Sequence, residues 1–240
     1  MWTKKQILQH KIAVKNLTEI KNKVFDLINT EKSITEYQIQ QFILQEYKKR
    51  KMITTDKPIV AFNESAASPH FCPKTKSKKL EKNNLILIDL WAKLNISKAP
   101  YADLTWVTHN GKPSKKLNDV FKIVIKARDE ALKFIQKNLK KKILPTGFEI
   151  NEVTNQVIIK AGYKKHIKHS TGHSIGTVSP HGVYGAISRR NKNPIKLNLG
   201  YTIEPGIYID KKFGIRSEID FYIDENYKLI ITSEMQNKLY

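Results

Sequence analysis

The chain has 240 residues, 40% of them hydrophobic and 27% charged, with a single cysteine, Cys72. That length allows a substantial core, the lone thiol excludes an intrachain disulfide and reads as packing, and the lysine-rich start carries neither a signal-peptide apolar region nor a membrane-spanning run. The formal net charge of +21 would suit a nucleic acid or ribosome contact, but only five of the 43 basic residues are Arg.

Lysine runs such as Lys48 to Lys51 and Lys76 to Lys79 lack the interleaved aromatics of a single-strand binding surface. The abundance of Lys, Ile and Asn reads as drift toward AT-rich codons, and the charge as a solvated surface. A soluble cytoplasmic protein without a membrane partner is expected, with nucleic acid or ribosome contact left open.

In chain order, apolar residues at helical spacing from Ile7 to Ile28 predict a helix over residues 3–29. A second helix is expected from Ser33 to Lys51, with Ser33 or Thr35 as N-cap. After Asp56 the texture changes to short segments rich in Ile, Leu, Val, Tyr and Phe: 59–62, 85–92, 103–108, 201–209, 215–223 and 229–232, which read as strands. Ser114 to Lys142 and Phe148 to Ala161 are predicted helices, the latter ended by Gly162. Thr75 to Asn84 reads as a charged loop. Strand groups with helices collected on one side make an α+β architecture. No segment is a linker, so one domain is expected, with a helical segment 1–55 and a site-bearing region 56–235; a helix pair and a strand group in each half suggest a diverged duplication.

Asp89, Asp103, His173, Glu204 and Glu218 each lie in a short apolar or Gly-flanked segment, where an unpaired charge is costly to bury. Four carboxylates and one imidazole form an oxygen-rich shell suited to a pair of divalent ions that activate water for hydrolysis. Asp89 and Asp103, on consecutive strands, would present two carboxylates to one place. His169 and His173 are four apart, but Gly172 and Gly176 argue for a strand or turn over a helix. Pro205 and Gly206 set a bend after Glu204 in the middle of an apolar strand, and Glu218 lies in its hairpin partner beyond a turn at Asp210 to Gly214.

The ordered segments LIDLWAK, YADLTW, HSTGHSIG, TIEPGIY and GIRSEID resemble the pita-bread metallopeptidases, the family of methionine aminopeptidase, aminopeptidase P, prolidase and creatinase. The resemblance covers residues 55 to 235. It implies a curved antiparallel sheet with helices on its outer face and pseudo-two-fold halves. It also implies two divalent metal ions (Mn, Co, Fe or Zn), with Asp89 on one, Asp103 and Glu218 bridging both, and His173 and Glu204 on the other. A water between the ions would be the nucleophile and Glu204 its proton acceptor. His181 matches the histidine that contacts the substrate carbonyl, His70 the histidine lining the substrate pocket, and Arg216 an arginine at the substrate site.

This sequence departs from the family pattern in a longer Asp89-to-Asp103 interval, in Trp91 where many relatives have Gly, in an extended stretch before His181, and in a basic run, Tyr184 to Lys196, expected to cover the cleft. SPHFCP and GIRSEID resemble the Xaa-Pro aminopeptidase branch, so removal of the residue preceding proline from peptide substrates is the expected activity. Methionine aminopeptidase is the alternative within the family. A metal-free module that binds peptides or nucleic acid is the alternative outside catalysis; five clustered charges kept without metal would be unfavourable.

Overall fold

The computed structural model describes residues 1–31 and 33–239. Thr3 caps a first helix, α1 (Lys4–Thr30), in a reciprocal box with Gln6, and Thr35 does the same with Gln38 for α2 (Glu36–Lys49). Of the two N-cap candidates for α2, Thr35 is therefore the one used. Short strands β1 (Met52–Ile53) and β2 (Ile59–Phe62) follow, then the long hairpin of β3 (Leu85–Leu94) and β4 (Ala102–His109). The second half holds α3 (Lys115–Leu139), with Ser114 as N-cap, and α4 (Gly147–Lys160). It continues through β5 (Gly172–Ile175), β6 (His181–Ile187), β7 (Gly200–Ile203), β8 (Gly206–Ile209), β9 (Phe213–Arg216), β10 (Ile219–Ile223) and β11 (Leu229–Ile231).

Every strand pairing is antiparallel. β3 is flanked by β4 on one edge and by β1 and β2 on the other, a second sheet runs β11-β10-β7-β5-β6, and β8 and β9 form a separate hairpin. The apolar run of β3 is buried on both faces, as its near-continuous hydrophobicity requires. Its even residues Ile86, Ile88 and Leu90 pack with Leu17, Ile20 and Val24 of α1 and Ile39 and Ile43 of α2. Leu85 and Leu87, on the odd face, join Val120, Phe121 and Val124 of α3 and Ile207 and Ile215 of the β8–β9 hairpin. Continuing along that odd face, the next side chains are Asp89 and Trp91, so the side of β3 opposite α1 and α2 passes from core into cavity.

Two strands expected to be continuous are interrupted. Residues 201–209 divide at Glu204–Pro205 into β7 and β8, and residues 215–223 divide at Ser217–Glu218 into β9 and β10. Both breaks occur at the same level of one hairpin: β7 pairs with β10 on one side (Ile203 opposite Ile219) and β8 with β9 on the other (Gly206 opposite Arg216). Pro205 has no N–H for a ladder, while the amides of Glu204 and Glu218 leave the hairpin for the carbonyls of Thr171 and Thr105. No helix among the described residues is long and apolar enough to cross a membrane.

A candidate metal centre

A cavity of about 650 Å³ is lined by Asp89, Asp103, His173, Glu204 and Glu218, together with His70, Trp91, His181 and Arg216. The β3–β4 register places Asp89 opposite Thr105 and Trp91 opposite Asp103, with the Leu90–Leu104 pair between, so both aspartates share the cavity face. Asp103, His173 and Glu218 are buried and offer ligand atoms that all lie within 4.8 Å of one another. Glu204 joins them through Oε1, 3.4 Å from His173 Nε2, which is also 3.6 Å from Asp103 Oδ2. Asp89 is tied to this group by the Thr105 hydroxyl, 3.0 Å from Asp89 Oδ1 and 2.7 Å from Glu218 Oε2.

The double strand break is what brings the two glutamates here. At the interruption the two residues leave the β7–β10 and β8–β9 pairings, Glu204 bonding to the Thr171 carbonyl and Glu218 to that of Thr105, and both side chains line the cavity. On β5, Gly172 is packed so closely against the carbonyl of Thr202 that a Cβ there would collide. That approach seats His173, whose own N–H donates to Thr202 Oγ1.

The electrostatics call for cations. His173 Nδ1 lies 3.0 Å from the Ser174 carbonyl, which can only accept, so Nδ1 carries the proton and Nε2 presents a lone pair toward two carboxylates. Burial lowers the His173 pKa to about 4, which keeps the ring neutral. Asp103 is pushed well above the usual carboxylate range by burial and then by Glu218, Asp89, Asp220 and Glu204 around it; Glu218 is raised in the same way, by burial and then by Glu204 and Asp89. Among the described residues the one guanidinium inside the cluster, Arg216, is spent on Asp89, on Tyr208 Oη at 3.1 Å and on Thr105 Oγ1 at 2.8 Å. Four carboxylates and a lone pair around one arginine fit divalent cations, whose hard, carboxylate-accepting character suits this donor set.

The remaining candidates line the walls. His181 opens β6, is exposed, and holds its ring 4.2 Å from that of His173, centroid to centroid. His70 is exposed at the mouth. Cys72 is exposed beside it and is not the packing residue expected of a lone thiol. Of the basic run expected to cover the cleft, Tyr184 to Ile187 instead belongs to edge strand β6, and none of residues 184–196 lines the cavity.

Residues that sequence reasoning left without a role also belong to the centre. Tyr208 accepts from Arg216 and lies 2.7 Å from His169 Nε2, while His169 Nδ1 faces the Ser170 carbonyl at 2.8 Å and Glu204 at 3.7 Å. The four-residue spacing of His169 and His173 was the available signal for His169. Thr105 and Tyr208 had none, because a threonine or tyrosine alternating with apolar residues looks like any strand position.

Residues 10–225 match the profile of metallopeptidase family M24. An uncharacterized peptidase of Staphylococcus epidermidis is 33% identical over 174 residues, 72% of this chain and 46% of its own length. One from Staphylococcus aureus is 30% identical over 173 residues, with the same coverage of 72% and 46%. The chain thus spans about half the length of the curated relatives it matches. Among solved structures, an X-Pro aminopeptidase from Thermotoga maritima is similar at a TM-score of 0.85 and 29% identity, covering 100% of this chain and 64% of that one. A prolidase from Thermococcus sibiricus is similar at 0.84 and 26%, covering 100% and 61%. The architecture described above is the pita-bread fold of these proteins.

Proposed function

Because this chain belongs to metallopeptidase family M24, we propose that it is a dinuclear metal-dependent exopeptidase that removes the first residue of peptides, preferentially before proline. The observation that carries the reading is the convergence of Asp103, His173 and Glu218 within 4.8 Å, with the His173 lone pair turned toward carboxylates. The Xaa-Pro preference is supported by the SPHFCP and GIRSEID segments and by the likeness to an X-Pro aminopeptidase and a prolidase. Residues 1–240 are read as one catalytic domain: Leu17 of α1 packs in the first-half core, while Trp2, just ahead of α1, packs with Tyr201 and Phe221 of the second half.

Asp89 would hold one ion, Asp103 and Glu218 both, and His173 and Glu204 the other. Two divalent ions in this shell would supply a water of lowered pKa and Lewis-acid polarisation of the scissile carbonyl. Around them the chain's own groups divide the work. Arg216 and Thr105 orient Asp89, and the Ser174 carbonyl fixes the tautomer of His173. Glu204, partly exposed to the cavity, accepts the proton of the attacking water. His181 donates to the oxyanion that develops on the carbonyl, while His70 and Arg216 line the space for the substrate.

The test is to incubate the purified protein with Ala-Pro-Ala and with Met-Ala-Ser in the presence of Mn, Co, Fe or Zn, and to read products by mass spectrometry. Release of Ala from the first peptide, dependent on the ion and abolished by chelation, is expected. Faster cleavage of Met-Ala-Ser would select methionine aminopeptidase, and cleavage of neither peptide with any ion would select the metal-free binding module.

A further inference from the structure

We infer that Asp220 is a positioning residue for the metal pair: its carboxylate holds strand β4 against strand β10 and so sets the separation of Asp103 from Glu218, the two carboxylates read as bridging. This rests on the metal-centre reading above. Asp103 and Glu218 come from different sheets, and no ladder connects β4 to β10. Besides the Thr105 hydroxyl, which reaches Glu218 Oε2 at 2.7 Å, two main-chain donors cross the seam. The Glu218 N–H donates to the Thr105 carbonyl at 3.3 Å, and the Asp103 N–H donates to Asp220 Oδ2 at 2.9 Å. The side chain of Asp220 therefore takes the place of the main-chain acceptor that a neighbouring strand would have offered.

The arrangement is costly as pure architecture. Asp220 is fully buried, and among the described residues its Oδ1 has no hydrogen-bond partner and the nearest group of potentially opposite charge is His10 Nε2, 3.9 Å from Oδ2. That ring nitrogen pairs with Thr232 Oγ1 at 2.8 Å, and His10 Nδ1 with the Tyr101 carbonyl at 2.7 Å. A buried carboxylate with a single direct donor is a poor stabiliser, and an apolar side chain would suit the packing better. The donor it does engage is the amide of a bridging ligand. Only two rotatable bonds separate that amide's Cα from the carboxylate of Asp103, so any retreat of the Asp103 backbone carries its oxygens away from Glu218.

Around Asp220 the geometry is built from its other end as well. Its own N–H donates to Ser233 Oγ at 2.8 Å, and its carbonyl accepts from the Thr232 N–H at 2.9 Å. Those contacts anchor β10 without touching Asp103, and they provide an internal control. Substitutions of groups that orient metal ligands typically weaken metal binding by ~10- to 100-fold.

The experiment is calorimetric titration of metal-free wild type, Asp220→Ala, Asp220→Asn and Ser233→Ala with Mn²⁺, with thermal unfolding of each metal-free protein alongside. Expected is a two-ion isotherm for wild type. Asp220→Ala should stay folded and bind one of the two ions ~10- to 100-fold more weakly. Asp220→Asn, which keeps an oxygen to accept from Asp103, and Ser233→Ala, which loses a bond remote from it, should both bind two ions as wild type does. Unchanged two-ion binding by Asp220→Ala, or tenfold weaker binding by a folded Asp220→Asn, overturns the inference. If Asp220→Ala does not fold, the Asp220→Asn isotherm decides alone. A wild-type protein that binds no ion would instead defeat the metal reading itself.

Discussion

Replacing Asp103 by Asn should stabilise the metal-free protein while destroying its capacity to hold two ions. Asp103 is buried and surrounded first by Glu218 and then by Asp89, Asp220 and Glu204, so its folded-state pKa lies well above the ordinary carboxylate value. An acid whose pKa is raised on folding binds more protons in the native than in the unfolded state between the two values. Stability is therefore present in full below the unfolded pKa and falls as pH rises toward the folded one. Histidines act in the opposite sense: His10 and His173, both lowered to about 4, make stability rise with pH between about 4 and the ordinary histidine value. The opposing histidine contribution is complete once pH has passed the ordinary histidine value.

One unit of pKa elevation corresponds to about 1.4 kcal/mol, and in a chain of this size one kcal/mol moves Tm by roughly 2–4 °C. Asp103→Asn should then raise the metal-free Tm at pH 8 by on the order of 3–6 °C for each unit of elevation relieved. The amide can add to this by donating toward the Nε2 lone pair of His173, which lies 3.6 Å from Asp103 Oδ2. The assay is thermal unfolding followed by circular dichroism on dialysed, metal-free wild type and variant from pH 6 to 8.5, with and without Mn²⁺. Wild type should lose Tm as pH rises toward the raised carboxylate values and regain it with the ion, while the variant, in which Glu218 and Asp220 are still raised, should lose less and regain less. A metal-free Asp103→Asn that melts at or below wild type at pH 8, or a gain that is the same at every pH, would refute the electrostatic account.

Two further expectations concern the walls of the centre. His173→Ala should lower both metal content and rate, whereas His181→Ala should lower turnover by ~10²- to 10³-fold with metal content unchanged; steady-state kinetics and elemental analysis separate the two. Arg216→Met should leave the Asp89 carboxylate buried without its guanidinium and destabilise the fold by about 3–5 kcal/mol, read as a fall in the denaturation midpoint at pH 7.5.

The candidate site was legible in the sequence as residue identities and not as a shape. Asp89, Asp103, His173, Glu204 and Glu218 could be singled out because each interrupts an apolar or Gly-flanked segment, where its charge needs a partner. The helices were legible for similar local reasons, through apolar spacing and through the capping residues Thr35 and Ser114. The β5 segment was legible only as a strand or turn, and β6 escaped notice as a strand because HGVYGAI is short and Gly-rich and lies at an edge with most of its residues exposed or half-buried. Cys72 looked like packing because lone cysteines usually are buried; its exposure is set by the loop that lines the mouth of the cavity.

What the sequence determined by itself was local: helix lengths and caps, the alternation that sends Ile86, Ile88 and Leu90 one way and Asp89 the other, and the bend at Pro205. What only the tertiary structure decided was coincidence in space. The break at Glu204 could be read from Pro205, but that Ser217–Glu218 breaks opposite it depends on the β7–β10 and β8–β9 registers. The Glu218 amide then crosses to Thr105, and the Asp103 amide to Asp220. These bonds join residues more than a hundred positions apart, and no periodicity in the chain encodes them. They exist because β4 and β10 are pressed together by separate cores while no ladder joins them, so the unpaired backbone donors at that seam must find acceptors on whichever side chains or carbonyls lie within reach.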